Sequence, residues 1–174
     1  MIGKSLKGYN AEMRYKSIFL FAILLSAFSF SGCKPNPASL MTAVKADNTE
    51  EAKKLIKKGA DANSRTSPSG WSALHYAARN GNVEIVQLLL SSGADPNYSG
   101  TMDGQTGSAI SLKPLVLAKV SLDLVGQIPV SHMEETLRQN GLDDPALLKS
   151  MKDPTAADRY QKVVDALQKV TKEN

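Results

Sequence analysis

Sliding the sequence along itself by 34 residues lays Pro37–Gly70 over Trp71–Gly104 without a gap and with ten identities. The matched pairs are Leu40/Leu74, Ala43/Ala77, Asn48/Asn82, Glu50/Glu84, Leu55/Leu89, Gly59/Gly93, Ala60/Ala94, Asp61/Asp95, Asn63/Asn97 and Gly70/Gly104. Chance does not supply Gly-Ala-Asp-x-Asn twice at one offset. A period of this length is the mark of a supersecondary unit that cannot bury its apolar face alone and must stack on its neighbours.

Each unit reads as two short helices. In the second, Leu74, Ala77 and Ala78 fall on one face at spacings of three and four, and the alanines let a neighbouring helix approach closely. Asn80-Gly81-Asn82 is a turn signal. Val83 to Leu90 carries Ile85, Val86, Leu89 and Leu90 as a second apolar face, and Gly93 stands just past its end, where a left-handed cap suits glycine. Asp95 and Asn97 are placed to tie the next loop through side-chain to backbone hydrogen bonds.

The stretch from Gly70 to Asn97 resembles an ankyrin repeat over nearly its whole length, with Ser72-Ala73-Leu74-His75 where that family has Thr-Pro-Leu-His. The first unit diverges, with Met41 at the histidine position and Asp47 for the turn glycine. Beyond Gly104 the register slips: Leu115 would match Leu74, but 41 residues on, and the seven extra residues fall at the family's β-hairpin finger, around Gln105–Ala109. Met133–Gly141 resembles the second helix of a third unit with its glycine cap, and Pro129 keeps Gly126–Val130 out of a helix. Asp144–Leu148 suggests a short helix with Pro145 at its first position. A last amphipathic helix from Ala156 to Val170 turns Tyr160, Val163, Val164, Leu167 and Val170 inward. The expected fold is an all-α ankyrin-repeat solenoid of stacked helix-turn-helix units with a C-terminal capping helix. Its expected divisions are a signal peptide at 1–32, an acylated N-terminus and tether at 33–37 and two repeats at 38–104. A divergent third unit with an expanded loop follows at 105–142, then a helical cap at 143–174.

The start of the chain is a different object. All four Phe lie before residue 33, with Lys4, Lys7, Arg14 and Lys16 against the single acid Glu12, whereas the remainder holds 17 bases and 16 acids. Residues 17–32 carry no charge and follow directly on Arg14 and Lys16, the layout of a secretory signal. Sixteen residues fall short of the roughly 20 that span a bilayer comfortably. Phe30-Ser31-Gly32-Cys33 resembles the lipobox of bacterial lipoproteins, with Phe30 departing from the usual leucine. That resemblance implies cleavage before Cys33, a diacylglycerol on its thiol and palmitate on its amine. It also implies, through Lys34 in place of aspartate, the periplasmic side of the outer membrane of a Gram-negative bacterium. A plain signal peptide or a membrane anchor, with Cys33 a bystander, is the competing reading. Met13 would serve as a start codon as well as Met1.

Catalysis needs an acid, base or nucleophile in a positioned cluster, and the chain offers little. By resemblance His75 bridges neighbouring loops, and His132 is expected as a solvent-exposed residue near a helix start. Asp61 and Asp95 sit in equivalent loops one unit apart, and Asp143-Asp144 reads as a helix entry. Metal-ligand spacing and phosphate-binding glycine loops are absent from the sequence, so the expectation is a non-enzyme without cofactor. Lys53-Lys54-Leu55-Ile56-Lys57-Lys58 reads as a solvated helix face with Glu50 and Glu51 one turn earlier, or else as a contact for anionic lipid. Nucleic acid is not expected, because the basic excess belongs mostly to the leader.

What remains is a surface. Ankyrin stacks bind partners along finger tips and the exposed face of each first helix. Carried onto matching positions, that surface comprises Pro68, Ser69, Trp71, Arg79, Asn80, Met102, Asp103 and Gln105, with Lys45 in the first unit and Lys119 in the third. Trp71, the only tryptophan, is the expected anchor, since Trp and Arg are over-represented at binding hot spots; the equal alternative is a ring lying against the adjacent finger and contributing only packing. The expected role is that of an envelope lipoprotein binding another protein, as an immunity protein against a secreted toxin or as a scaffold for an envelope enzyme. An enzyme with its site in 105–155 is the competing class.

Overall fold

The computed structural model describes residues 36–65, 70–103, 109–139 and 144–172. The signal peptide expected at 1–32 and Cys33 lie outside them. The first unit is α1 (Pro37–Lys45) and α2 (Thr49–Lys57); the second is α3 (Ala73–Arg79) and α4 (Val83–Ser91). Asn36 opens α1 by accepting from Ala38 N at 3.0 Å, with Pro37 at the first helical position, where its missing N–H is not needed. The repeated asparagines open the second helices: Asn48 Oδ1 accepts from Glu51 N at 3.0 Å and Asn82 Oδ1 from Ile85 N at 2.9 Å. The repeated Asx turns form as the spacing predicts, Asn63 N to Asp61 Oδ1 at 2.9 Å and Asn97 N to Asp95 Oδ1 at 2.8 Å.

Stacking is stitched by the same residues. Asn63 Nδ2 donates to Gly93 O and Asn63 Oδ1 accepts from Asp95 N, both at 2.9 Å. Asn82 Nδ2 reaches back to Asp47 Oδ1 at 2.8 Å and Thr49 Oγ1 at 3.0 Å. Asp47 holds the turn with φ +56°, the left-handed place that Gly81 fills in the second unit at φ +67°. Asn82→Ala therefore loses a cap and two bonds between units. It should cost about 1–2 kcal/mol, near the upper end for lost caps, and more than Asn48→Ala, which loses only a cap. Urea unfolding of the two variants measures the difference.

A two-stranded antiparallel hairpin follows: β1 (Gly100–Asp103) pairs β2 (Ala109–Leu112), Gly100 facing Leu112 and Asp103 facing Ala109. Then come α5 (Pro114–Gln127), α6 (Val130–Gln139), α7 (Pro145–Lys152) and α8 (Ala156–Lys172). Only Ile128 and Pro129 interrupt α5 and α6, so Gly126 and Gln127 are helical and the proline break is narrower than the sequence suggests.

The third unit differs from the expectation in its second helix. α5 packs on α3 as α3 packs on α1, but the helix that lies along α5 and against α4 is α8. Val163, Val164 and Leu167 join the buried core of the first two units with Ile85, Val86, Leu89 and Ala118. α6, expected in that slot, instead pairs with α7, and Met133, Leu137, Leu147 and Met151 form a second core with Ala156 and Tyr160. The reason is the width of the apolar face. α6 buries only Met133 and Leu137, enough for one neighbour. A second helix must fill a groove between its own first helix and the preceding unit, and α8 repeats the Ile85-Val86-x-x-Leu89 pattern as Val163-Val164-x-x-Leu167. Residues 128–155 are thus an insertion between the two helices of the third unit, and α8 is part of that unit rather than a separate cap.

Candidate partner-binding face

The first-helix face is organised by cations over rings. Tyr76, half-buried on α3, has Lys45 Nζ 4.7 Å and the Arg79 guanidinium 5.2 Å from its ring centre. Arg79 also lies 5.9 Å from the Trp71 ring, which tilts against Tyr76 at 5.1 Å and stacks on His75 at 5.9 Å. At the finger base, Arg65 stands 3.9 Å over Tyr98. Lys45 and Lys119 are exposed.

Two residues expected on this surface are inside it. Trp71 is 5% exposed, because β1 crosses directly over it: a Cβ on Gly100 would come within 2.7 Å of the indole. Asn80 is fully buried, its amide 3.5 Å from the carbonyls of Val44 and Lys45. Asn80 is thus packed against the preceding unit and Trp71 beneath the finger, and neither presents the open surface expected of it. Arg79, with a side chain only 12% exposed, is ion-paired with Asp144. Met102 and Asp103 lie on β1 opposite Ile110 and Ala109. Pro68, Ser69 and Gln105 lie outside the described residues.

The insertion is the group that sequence reasoning missed here. Asp144 caps α7, accepting from Ala146 N at 3.0 Å, while its other oxygen takes Arg79. Ser150 Oγ donates to Asn80 O, and Tyr160 Oη donates to Arg79 O at 2.8 Å. Arg159 bridges Gly81 O at 3.4 Å and Ser150 O at 2.7 Å. The open carbonyls at the end of α3 are thereby satisfied from the C-terminal half, as a buried helix end requires. Asp144-Pro145 as a helix entry was the available signal; its target was not.

The two histidines behave differently. His75 is buried, its Nδ1 2.7 Å from Ser72 Oγ and its Nε2 3.0 Å from Leu112 O and 3.1 Å from Gly100 N. Burial pushes its pKa below the ordinary histidine range, with the Leu112 bond opposing. His132 is exposed, its Nδ1 3.1 Å from the Ser131 hydroxyl. In the lysine run, Lys53 pairs with Glu50 at 3.0 Å and with Glu84, and Lys54 with Glu51 at 3.0 Å, the pattern of a solvated face. Among the described residues, no three His, Cys, Asp or Glu are grouped to hold a metal, and no helix is long and apolar enough to cross a membrane.

Comparison with known proteins agrees with this geometry. Residues 14–99 match the family model "Ankyrin repeats (3 copies)". A putative ankyrin repeat-containing protein of Treponema pallidum is 36% identical over 118 residues, 67% of this chain and 37% of that protein. The mitochondrial disaggregase of Bos taurus is 50% identical over 60 residues, 34% of this chain and 9% of its own length. A 2-5A-dependent ribonuclease of Mus musculus is 47% identical over 60 residues, 34% of this chain and 8% of its own. In each case the chain spans well under two thirds of the relative. The likeness is to the repeats, whose implied role is protein–protein interaction.

Proposed function

We propose, for a chain that carries ankyrin repeats and folds as an all-α ankyrin solenoid, that it is a non-enzymatic, protein-binding lipoprotein of the bacterial envelope. The observation that carries the binding part is the first-helix face, where the exposed Lys45 lies over the half-buried Tyr76 beside the ion-paired Arg79. Support for the anchored part lies in the sequence: a basic segment, an uncharged run and Phe30-Ser31-Gly32-Cys33, only four residues before α1 begins at Pro37. Two or three acyl chains at Cys33 would hold the solenoid firmly, at about 0.8 kcal/mol per buried methylene. Lys34 favours the outer membrane over the inner, with the repeats facing the periplasm. A solenoid held there is placed to occlude a secreted toxin, so the specific role is that of an immunity protein.

Membrane fractionation of wild type and Cys33→Ser tests the anchor. The wild type should process to a shorter form in the outer-membrane fraction, and the serine variant should stay unprocessed. An unchanged pattern removes the lipoprotein assignment. Crosslinked capture from detergent-solubilised envelope tests the binding: a secreted toxin retained on the column supports immunity, and an envelope enzyme of the same cell replaces that role by a scaffold. Trp71→Ala is not a suitable probe, because it would disturb the finger base before it reached any partner.

A further inference from the structure

We propose that Lys57 and Lys58, at the end of α2, seat the first unit on the anionic phospholipid headgroups of the bilayer that holds the chain, and so fix which end of the solenoid faces the membrane. The inference rests on the lipoprotein reading above and deepens it. Within the lysine run, Lys53 pairs with Glu50 and Glu84, and Lys54 with Glu51. Lys57 and Lys58 are exposed, and among the described residues neither has a carboxylate partner. The next acid along the chain, Asp61, gives an oxygen to Asn63 N at 2.9 Å. A cation suits the last turn of any helix, but the equivalent positions of the second unit are Ser91 and Ser92, so the lysine pair is not a requirement of the repeat.

The short turn at 46–48 makes α1 and α2 antiparallel, so the end of α2 lies beside the start of α1, and Ala38, Ser39 and Leu55 line one groove between them. The chain therefore enters the solenoid at the end that carries the lysine pair. Pro37 comes four residues after Cys33, a tether of at most about 14 Å. From Cys33 to Ala46 the sequence holds no acid, and Lys34 adds a further base. Lys45, Glu50 and Glu51 belong to the other end of the unit, about 12 Å away along α1. An anionic surface raises the population of a seated state about fivefold for each lysine within a Debye length, about 8 Å. Acyl chains at Cys33 would already hold the protein at the bilayer, so this gain acts on orientation: two lysines favour the seated end about 25-fold. Two adjacent exposed ammonium groups, each a point charge on a flexible stem, suit a diffuse layer of phosphates better than one fixed carboxylate of a protein.

The test is amine footprinting of the full chain, purified in detergent and reconstituted into vesicles of phosphatidylcholine alone or with about one third phosphatidylglycerol. Mass spectrometry reads the acetylation rates of Lys57 and Lys58, with Lys45 of the same molecule as internal reference. On anionic vesicles at about 0.1 M salt, Lys57 and Lys58 should react about fivefold more slowly than on phosphatidylcholine, with Lys45 unchanged, and about 1 M salt should abolish the difference. Lys58→Glu should remove the slowing of Lys57, and Lys58→Gln should reduce it to about twofold; circular dichroism checks that both variants fold. Rates indifferent to phosphatidylglycerol, slowing of Lys45 equal to that of Lys57, or a Lys57 rate untouched by either Lys58 variant overturns the proposal. Flotation of the same vesicles separates the two readings. Protein that floats with both kinds of vesicle but shows no slowing keeps its membrane attachment and loses the headgroup contact. Protein that floats only with anionic vesicles, with the slowing, keeps the contact and loses the anchor, and protein that floats with neither loses both.

Discussion

Tyr160→Ala should destabilise the folded chain by about 3–5 kcal/mol, the range for truncating a buried aromatic. Tyr160 is fully buried where the two cores meet: it packs with Met133, Leu147 and Met151 of the insertion, one helical turn before Val163 and Val164 enter the solenoid core. Its ring lies directly against Gly81, so that a Cβ there would come within 2.7 Å of it. Its hydroxyl donates to Arg79 O, and burial pushes its pKa upward, as expected of a phenol held neutral. Tyr160→Phe should cost only about 1 kcal/mol, because the ring stays and Arg79 O keeps the Ser121 hydroxyl at 3.3 Å. A double-mutant cycle separates packing from turn strain. Gly81→Ala strains a φ of +67° in either background, but the clash with the ring disappears once Tyr160 is alanine. Chemical unfolding of the four proteins measures this. Strict additivity would mean that the ring does not seat on the turn.

The same junction shows how far the sequence could be read. Two units were legible because Asn48 and Asn82, Asp61 and Asp95, and Gly59 and Gly93 recur at one offset, and each does local work that its spacing announces. Sequence and structure part at the second helix of the third unit. Chain order favoured Met133–Gly141, which follows α5 directly, while the true occupant comes after a further helix. The discriminating signal was Val163-Val164-x-x-Leu167, hidden by its distance from α5. On the candidate face the residue types were sound guides to position but not to exposure. Trp71 and Asn80 stand where a repeat offers contacts, yet Gly100 of the finger and the neighbouring α1 cover them. Nothing local in Arg79 announces Asp144, 65 residues away, as its partner.

His75→Ala should cost about 2–4 kcal/mol, combining a buried cavity with polar groups left unpaired. The ring joins the opening of α3 to the base of the finger: Ser72 N donates to Nδ1 at 3.2 Å, and Gly100 and Leu112, which contact Nε2, form the first pair of the β1–β2 ladder. Without it the hairpin loses its fixed base, so amide exchange across Gly100–Asp103 should accelerate more than in α4. The ring also makes stability depend on pH. A proton on Nδ1 would confront the Ser72 N–H, donor against donor, and burial already lowers the pKa of the folded state. The unfolded chain therefore binds the proton more tightly. The contribution of His75 is complete above about pH 6.5 and declines as pH falls below it, until the folded ring protonates too. Asp47 works in the opposite sense, since burial raises its pKa and favours the folded state as its carboxylate protonates. Comparison with His75→Gln cancels that contribution. The stability difference between wild type and His75→Gln should shrink from about pH 7.5 to about pH 5. A difference that stays constant over that interval would show that His75 does not exchange its proton on unfolding, and the acid sensitivity would then belong to the carboxylates.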